Sequence, residues 1–269
     1  MMDFVNCLSQ LQQSEGDSAV FQVPDNWGQG RALFGGIAAA LALQYLSGWV
    51  TEGIRLRSLT VSFVAPLAPG NATATRRLLR QGKSVVQAQV ELSQHGQVAL
   101  VLLASFGVAR PSAVQLKAAQ QAAIPAEPTG LTLPDSAVVP EFTRHFDYRI
   151  SHGGLPFSGV QSVDFGGFVR FRQQAQQSDK ACSLMQLLAL IDAWPPATLP
   201  WLTSPAPAST LCWTLELLTD HLEAAADDWW SYLAQIDAAA DGYGHIQAKV
   251  HDKHGTLVAL SRQTVALFG

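Results

Sequence analysis

Charge is scarce in this sequence, and so is any long apolar run. Only 14% of its 269 residues are charged, and 17 basic residues against 21 acidic ones leave a net charge of −4. No global basic field is present to attract nucleic acid. No apolar stretch is long enough to span a bilayer, so no membrane partner is expected. The three cysteines, Cys7, Cys182 and Cys212, are an odd and scattered set. They make neither a disulfide framework nor a zinc site, so no metal is expected. The stretch from Met1 to Asp17 lacks the basic flank and apolar core of a secretory signal. Together with the cysteines it predicts a reducing, cytoplasmic setting. Nucleotide and serine-hydrolase motifs are missing too. Gly28-Gln29-Gly30 opens like a dinucleotide loop but reaches Leu33 where a glycine is required. No Gly-x-Ser-x-Gly elbow occurs, and no cofactor is expected.

What is present is organised around Trp27 to Gly48. A glycine-rich loop leads through Phe34-Gly35-Gly36 into Ile37–Leu46, where only Gln44 and Tyr45 carry polar groups. Alanine and leucine favour helix, and a helix apolar on every side is buried on every side. A sheet is expected to wrap it. Residues 4–15 predict a short amphipathic helix, and Ala19–Val23 a strand. Leu59–Phe63 and Val86–Ser93 alternate apolar with polar residues, which is the strand period. Val98–Phe106 is nearly all apolar and predicts a central strand covered on both faces. Pro111, Pro125, Pro128 and Pro134 punctuate a linker with one helix near Val114–Ala122.

The order then repeats. Strands are expected at 142–150 and 168–171, with Phe165-Gly166-Gly167 just ahead of the second. An N-cap signal at Ser178-Asp179 precedes an apolar helix over 182–193, stopped by Pro195-Pro196. Strands follow at 210–218, 229–237, 243–251 and 257–268. Both halves close alike, through His95-Gly96 to Phe106-Gly107 and through His254-Gly255 to Phe268-Gly269. A repeat of this length is a domain duplication. The expected units are residues 1–109, a linker over 110–139, and residues 140–269.

A helix swaddled in antiparallel sheet, twice in one chain, is a double hotdog of α+β class. At residue level the chain resembles the acyl-CoA thioesterase II (TesB-like) family. The resemblance is carried by Leu33-Phe34-Gly35-Gly36, by Leu59 running to Pro66, and by Leu79-Arg80-Gln81-Gly82-Lys83-Ser84-Val85. It extends to Ala104-Ser105-Phe106 and to Leu187-Leu188-Ala189-Leu190-Ile191-Asp192. It implies hydrolysis of an acyl-CoA by an activated water, with Asp192, Thr210 and Gln263 as the polar trio. It also implies a homodimer, and an apolar acyl tunnel is expected between the halves near Trp27, Phe34 and Trp194. After Thr210 the chain departs from the family, reading Cys212-Trp213-Thr214 and later Leu217-Leu218-Thr219.

The residue types bear independent chemistry. Asp192 ends an apolar helix, where both the macrodipole and burial oppose a carboxylate. A residue placed against both is a candidate general base; the bland alternative is a solvated Asp beside Pro195. Thr210 has the parity of Cys212, Thr214 and Glu216, the polar side of its strand. Gln263 shares parity with Leu257, Ala259 and Val265, so it must find hydrogen bonds on an apolar face. Gly35 and Gly36 at a helix N-terminus suit an oxyanion or simply close packing. Arg76, Arg77, Arg80 and Lys83 cluster around one hairpin, as a CoA phosphate site or a solvated turn; Arg76 and Arg80 are the candidates. His251 and His254 read as surface residues beside a turn, and His152 as a lone loop histidine. The rival functions are a non-catalytic acyl-CoA binder and a hydratase or dehydratase, which would need His152 in the groove.

Overall fold

The computed structural model describes residues 2–12, 16–50, 53–134, 136, 139–172, 182–219 and 221–268. The first half runs α1 (Phe4–Gln12), β1 (Ser18–Val23), a small hairpin of β2 (Gly28–Gln29) and β3 (Ala32–Leu33), and α2 (Gly35–Ser47). Strands β4 (Arg55–Phe63), β5 (Gly70–Gln81), β6 (Val85–Gln94) and β7 (Gln97–Gly107) follow. The second half runs β8 (Phe146–His152), β9 (Asp164–Phe171), α3 (Leu184–Asp192), β10 (Ala208–Leu217), β11 (Trp230–Ala240), β12 (Tyr243–His251) and β13 (Leu257–Leu267).

The large strands form one antiparallel sheet in the order β1-β5-β6-β7-β4-β10-β13-β12-β11-β9-β8. Its two halves have the same internal order on either side of the β4–β10 seam, where Thr60 faces Thr214. The second half adds β8 at its edge. This is the expected double hotdog, with α2 packed against β5, β6 and β7 and also against α3.

Burial explains the composition of α2. Every residue from Gly36 to Leu46 except Gln44 is buried. Ile37, Leu41, Leu43 and Leu46 each contribute about 1.5–3 kcal/mol by leaving water. A Cβ on Gly36 would lie 3.0 Å from Ala189 Cα and closer still to the Phe34 ring. Glycine at this point lets the two helices meet.

Several expectations are corrected. Strand β7 is central, but only one face is covered. Leu100, Leu102, Ala104 and Phe106 are buried, whereas Leu103 is 44% exposed. A single sheet curled around its helices has no further layer on its outer face. The helix expected near Val114–Ala122 is absent, because Val114 and Leu116 find nothing to pack on and stay exposed. An isolated short helix without a buried face does not hold in water. The strap instead docks on the β12–β13 turn, with Gln121 N–H donating to Gly255 O and Ile124 N–H to Lys253 O, both at 2.9 Å. The same docking buries His251, whose ring lies 2.8–3.0 Å from the Gln121 amide nitrogen. His254 alone of that pair is exposed.

Phe165-Gly166-Gly167 sits inside β9 rather than ahead of it. Gly166 and Gly167 have φ of 147° and 151°, and side chains there would strike the backbone of β11 and β8 respectively. The Ser178-Asp179 signal lies outside the described residues. The cap of α3 is Ser183, which accepts from Gln186 N–H while the Gln186 side chain accepts from Ser183 N–H.

Candidate active site

Asp192 is the last residue of α3, and Ala193, Trp194 and Pro195 end the helix behind it. Its carboxylate reaches across to the first turn of α2, where Gly36 N–H donates to it. Gln263 Nε2, from β13, donates to Oδ1 at 3.1 Å. A Cβ on Gly35 would stand 2.8 Å from Oδ2 and 3.0 Å from the Phe63 ring. Two helix ends therefore act on one carboxylate. The C-terminus of α3 opposes its charge, and the N-terminus of α2 favours it. Desolvation outweighs both donors and raises the pKa from 3.8 to about 7. Asp192 still keeps part of its surface open to solvent.

Gly35 serves this arrangement by lacking a side chain. If Asp192 is a catalytic base, Gly35→Ala should lower turnover about 10- to 100-fold, because displacing a reacting group by roughly 1 Å has effects of that size. Its melting temperature should fall only slightly, since the better helix propensity of alanine offsets part of the cost of crowding Oδ2 and the Phe63 ring. An unchanged kcat would show that the carboxylate tolerates being moved.

Thr210 reaches the inner face by a bulge. Alternation alone puts it with Cys212 and Thr214, but the register shifts between Thr210 and Cys212. Thr210 consequently faces Val265, and Trp213 faces Gln263. Residues paired across strands share a face, so Thr210 lies on the face of Val265 and Gln263. The extra residue of the bulge, Leu211, is turned outward at 41% exposure. Trp213 fills the core beside Gln263 and donates from Nε1 to Ser261 Oγ at 2.9 Å.

The other candidates divide between site and scaffold. Trp194 is buried two residues past Asp192. It stacks on Tyr232 with centroids 5.3 Å apart and meets Tyr148 and Phe165 edge-on. Trp27 and Phe34 are fully buried core residues. Trp27 stacks on His145 at 3.6 Å and donates to Met2 O, and Phe34 stacks on Phe142 at 4.0 Å. Arg76 is taken up as well. Its guanidinium lies 4.4 Å from the Tyr45 ring and 4.5 Å from that of Trp49. It donates to Gly16 O at 3.0 Å and to Tyr45 O, in the last turn of α2, at 2.7 Å. A cation is favoured at that helix end, and Arg76 is only 7% exposed. Arg77, Arg80 and Lys83 stay exposed. Gly36 spends its N–H on Asp192 and so is not a free oxyanion donor. His152 ends β8, exposed, with Nδ1 3.0 Å from Ser151 Oγ.

Phe63, Tyr148, Phe165 and Tyr232 also belong to this neighbourhood, although nothing in the sequence separates them from ordinary core aromatics. Tyr148 donates to Ala193 O at 3.0 Å. The charge of Asp192 adds to burial in raising the pKa of both tyrosines. Among the described residues no group of acidic, histidine or cysteine side chains could hold a metal, and no helix is long and apolar enough to cross a membrane.

Two family models match this chain. Residues 23–107 match the acyl-CoA thioesterase N-terminal domain, and residues 118–267 match the acyl-CoA thioesterase C-terminal domain. Among solved structures, a hotdog-fold protein of unknown function from Alicyclobacillus acidocaldarius superposes with a TM-score of 0.81 at 21% identity, covering 96% of this chain and 95% of that one. A candidate thioesterase II from Thermobifida fusca gives 0.80 at 20% identity, covering 100% and 98%. An acyl-CoA thioesterase II from Mycobacterium marinum gives 0.70 at 19% identity, covering 97% of each chain. At these identities the likeness establishes the fold. No curated protein sequence matches the chain.

Proposed function

Because the chain belongs to the acyl-CoA thioesterase family, we propose that it hydrolyses an acyl-CoA to the free acid and CoA through a water activated by Asp192. The observation that carries this reading is one carboxylate, desolvated to a pKa of about 7 and held by Gly36 N–H and Gln263 Nε2. A base poised near neutral pH is suited to accept a proton from water. Gln263 fixes Oδ1, and Thr210 on the same face orients the water. The water oxygen bonds to the thioester carbon while its proton passes to Asp192. The tetrahedral species then breaks its C–S bond, and the departing sulfur takes that proton back. No metal or covalent acyl-enzyme is required.

The acyl group is proposed to lie against the aromatic residues around Asp192, near Trp194 and Phe63, since stacking already fills the space beside Trp27 and Phe34. Arg80 remains exposed for the phosphates of CoA. A homodimer of double hotdogs and a cytoplasmic setting complete the proposal. Burial of Asp192 also weighs against the lyase reading, because His152 is exposed at the end of β8. The test is thiol titration of released CoA over acyl-CoAs from acetyl to palmitoyl. Release with a clear chain-length optimum is expected. Binding without release from any of them would make the protein a binder or a lyase.

A further inference from the structure

A carbonyl under attack by water needs a hydrogen-bond donor already in place where negative charge develops. Around Asp192 most donors are committed. Gly36 N–H and Gln263 Nε2 serve the carboxylate itself, and the Tyr148 hydroxyl serves Ala193 O. The indole N–H of Trp194 has no partner, but it is sealed from solvent, like Thr198 Oγ1 and Trp229 Nε1.

Tyr232 is different. Its hydroxyl makes no hydrogen bond among the described residues, yet it is absent from that sealed set, and the residue keeps 5% exposure. Among the described residues the hydroxyl is therefore unpartnered, and the residue is not fully closed to solvent. Its ring is fixed by stacking on Trp194 at an interplanar angle of 11°, two residues beyond Asp192. Its backbone is fixed in β11 between Gly167 of β9 and Val250 of β12. We infer that the Tyr232 hydroxyl donates a hydrogen bond to the thioester carbonyl oxygen as that oxygen gains charge, an inference that rests on the hydrolytic reading above.

The step balances without transferring the phenolic proton. As the water oxygen bonds to carbon and its proton goes to Asp192, the carbonyl π pair moves onto oxygen and is held by the Tyr232 O–H. The pair returns as the C–S bond breaks. Burial and the nearby Asp192 charge both keep the phenol protonated, so it remains a donor throughout the working pH range.

Tyr232→Phe retains the ring and its stacking and removes only the donor. We expect kcat to fall 10²- to 10³-fold, the size seen for a lost oxyanion donor, with KM within a few-fold of wild type. The melting temperature and the Asp192 limb of the pH profile should be unchanged. A kcat within about threefold of wild type, a loss confined to KM, or a fall in melting temperature large enough to explain the loss would each overturn the role. A wild type that releases no CoA from any acyl-CoA would sink the hydrolytic reading itself, and this inference with it. Release by wild type with full activity in Tyr232→Phe would sink this inference alone.

Discussion

Asp192→Asn should lose about 10²- to 10⁴-fold in kcat for CoA release, the contribution of a positioned general base. Asparagine keeps the shape of the side chain, and its oxygen can still accept from Gly36 N–H. What it loses is the ability to take a proton from water. The pH dependence gives a second signature. On the proposed mechanism the base works only when deprotonated, so wild-type kcat/KM should rise with pH and level off above an apparent pKa of about 7, the value to which burial pushes this carboxyl. The residual activity of Asp192→Asn should lack that limb. Stopped or continuous thiol titration from pH 5 to 9 reads both. A variant within a few-fold of wild type would place the base elsewhere.

The same substitution should make the protein more stable at pH 8. In the unfolded chain the carboxyl titrates near its ordinary 3.8, and in the folded protein at about 7. Below pH 4 both states are protonated and the site contributes nothing. Between about pH 4 and 7 the folded state holds a proton that the unfolded state has released, so stability falls as pH rises. Above pH 7 the whole cost of a buried charge is present. A shift of about three pH units corresponds to roughly 4 kcal/mol as a ceiling, and the solvent contact that Asp192 retains brings the expected gain to about 1–4 kcal/mol. Asparagine bears no charge and escapes this cost. Urea unfolding at pH 4.5 and pH 8 should show the smaller difference between the two proteins at the lower pH and the variant clearly more stable at the higher. A less stable variant at pH 8 would mean that Gly36 and Gln263 compensate the charge more fully than desolvation penalises it. The two outcomes belong together: a carboxylate left in ordinary water would cost the fold nothing and would be a weaker base.

Two residues of the candidate site stood out in the sequence because period and polarity are local properties. Gln263 breaks an otherwise apolar parity on β13, and the hydrogen bond it must therefore find is the one to Asp192. Asp192 closes an apolar helix against the preference of the dipole. Tyr232 was not legible, since an inward tyrosine on a strand looks the same whether or not its hydroxyl has a partner. The charge of Arg76 was visible in the sequence and its wrapping was not. Two of the groups around it, Tyr45 and Gly16, lie far away in sequence.

The sequence by itself determined the two apolar helices, the strand periods and the repeated order of elements, because each follows from spacing along one segment; the polar trio was implied by the family resemblance. Tertiary structure decided the rest. The pairing of β10 with β13 placed a bulge at Leu211 and turned Thr210 onto the inner face, a result no alternation within β10 contains. Packing of α2 on α3 carried Asp192 from the second half to the Gly36 N–H of the first. Docking of the strap on the β12–β13 turn replaced an expected helix and buried His251. In each case the outcome depends on a hydrogen bond or a close approach between residues distant in sequence, and on desolvation that exists only once both halves have closed around them.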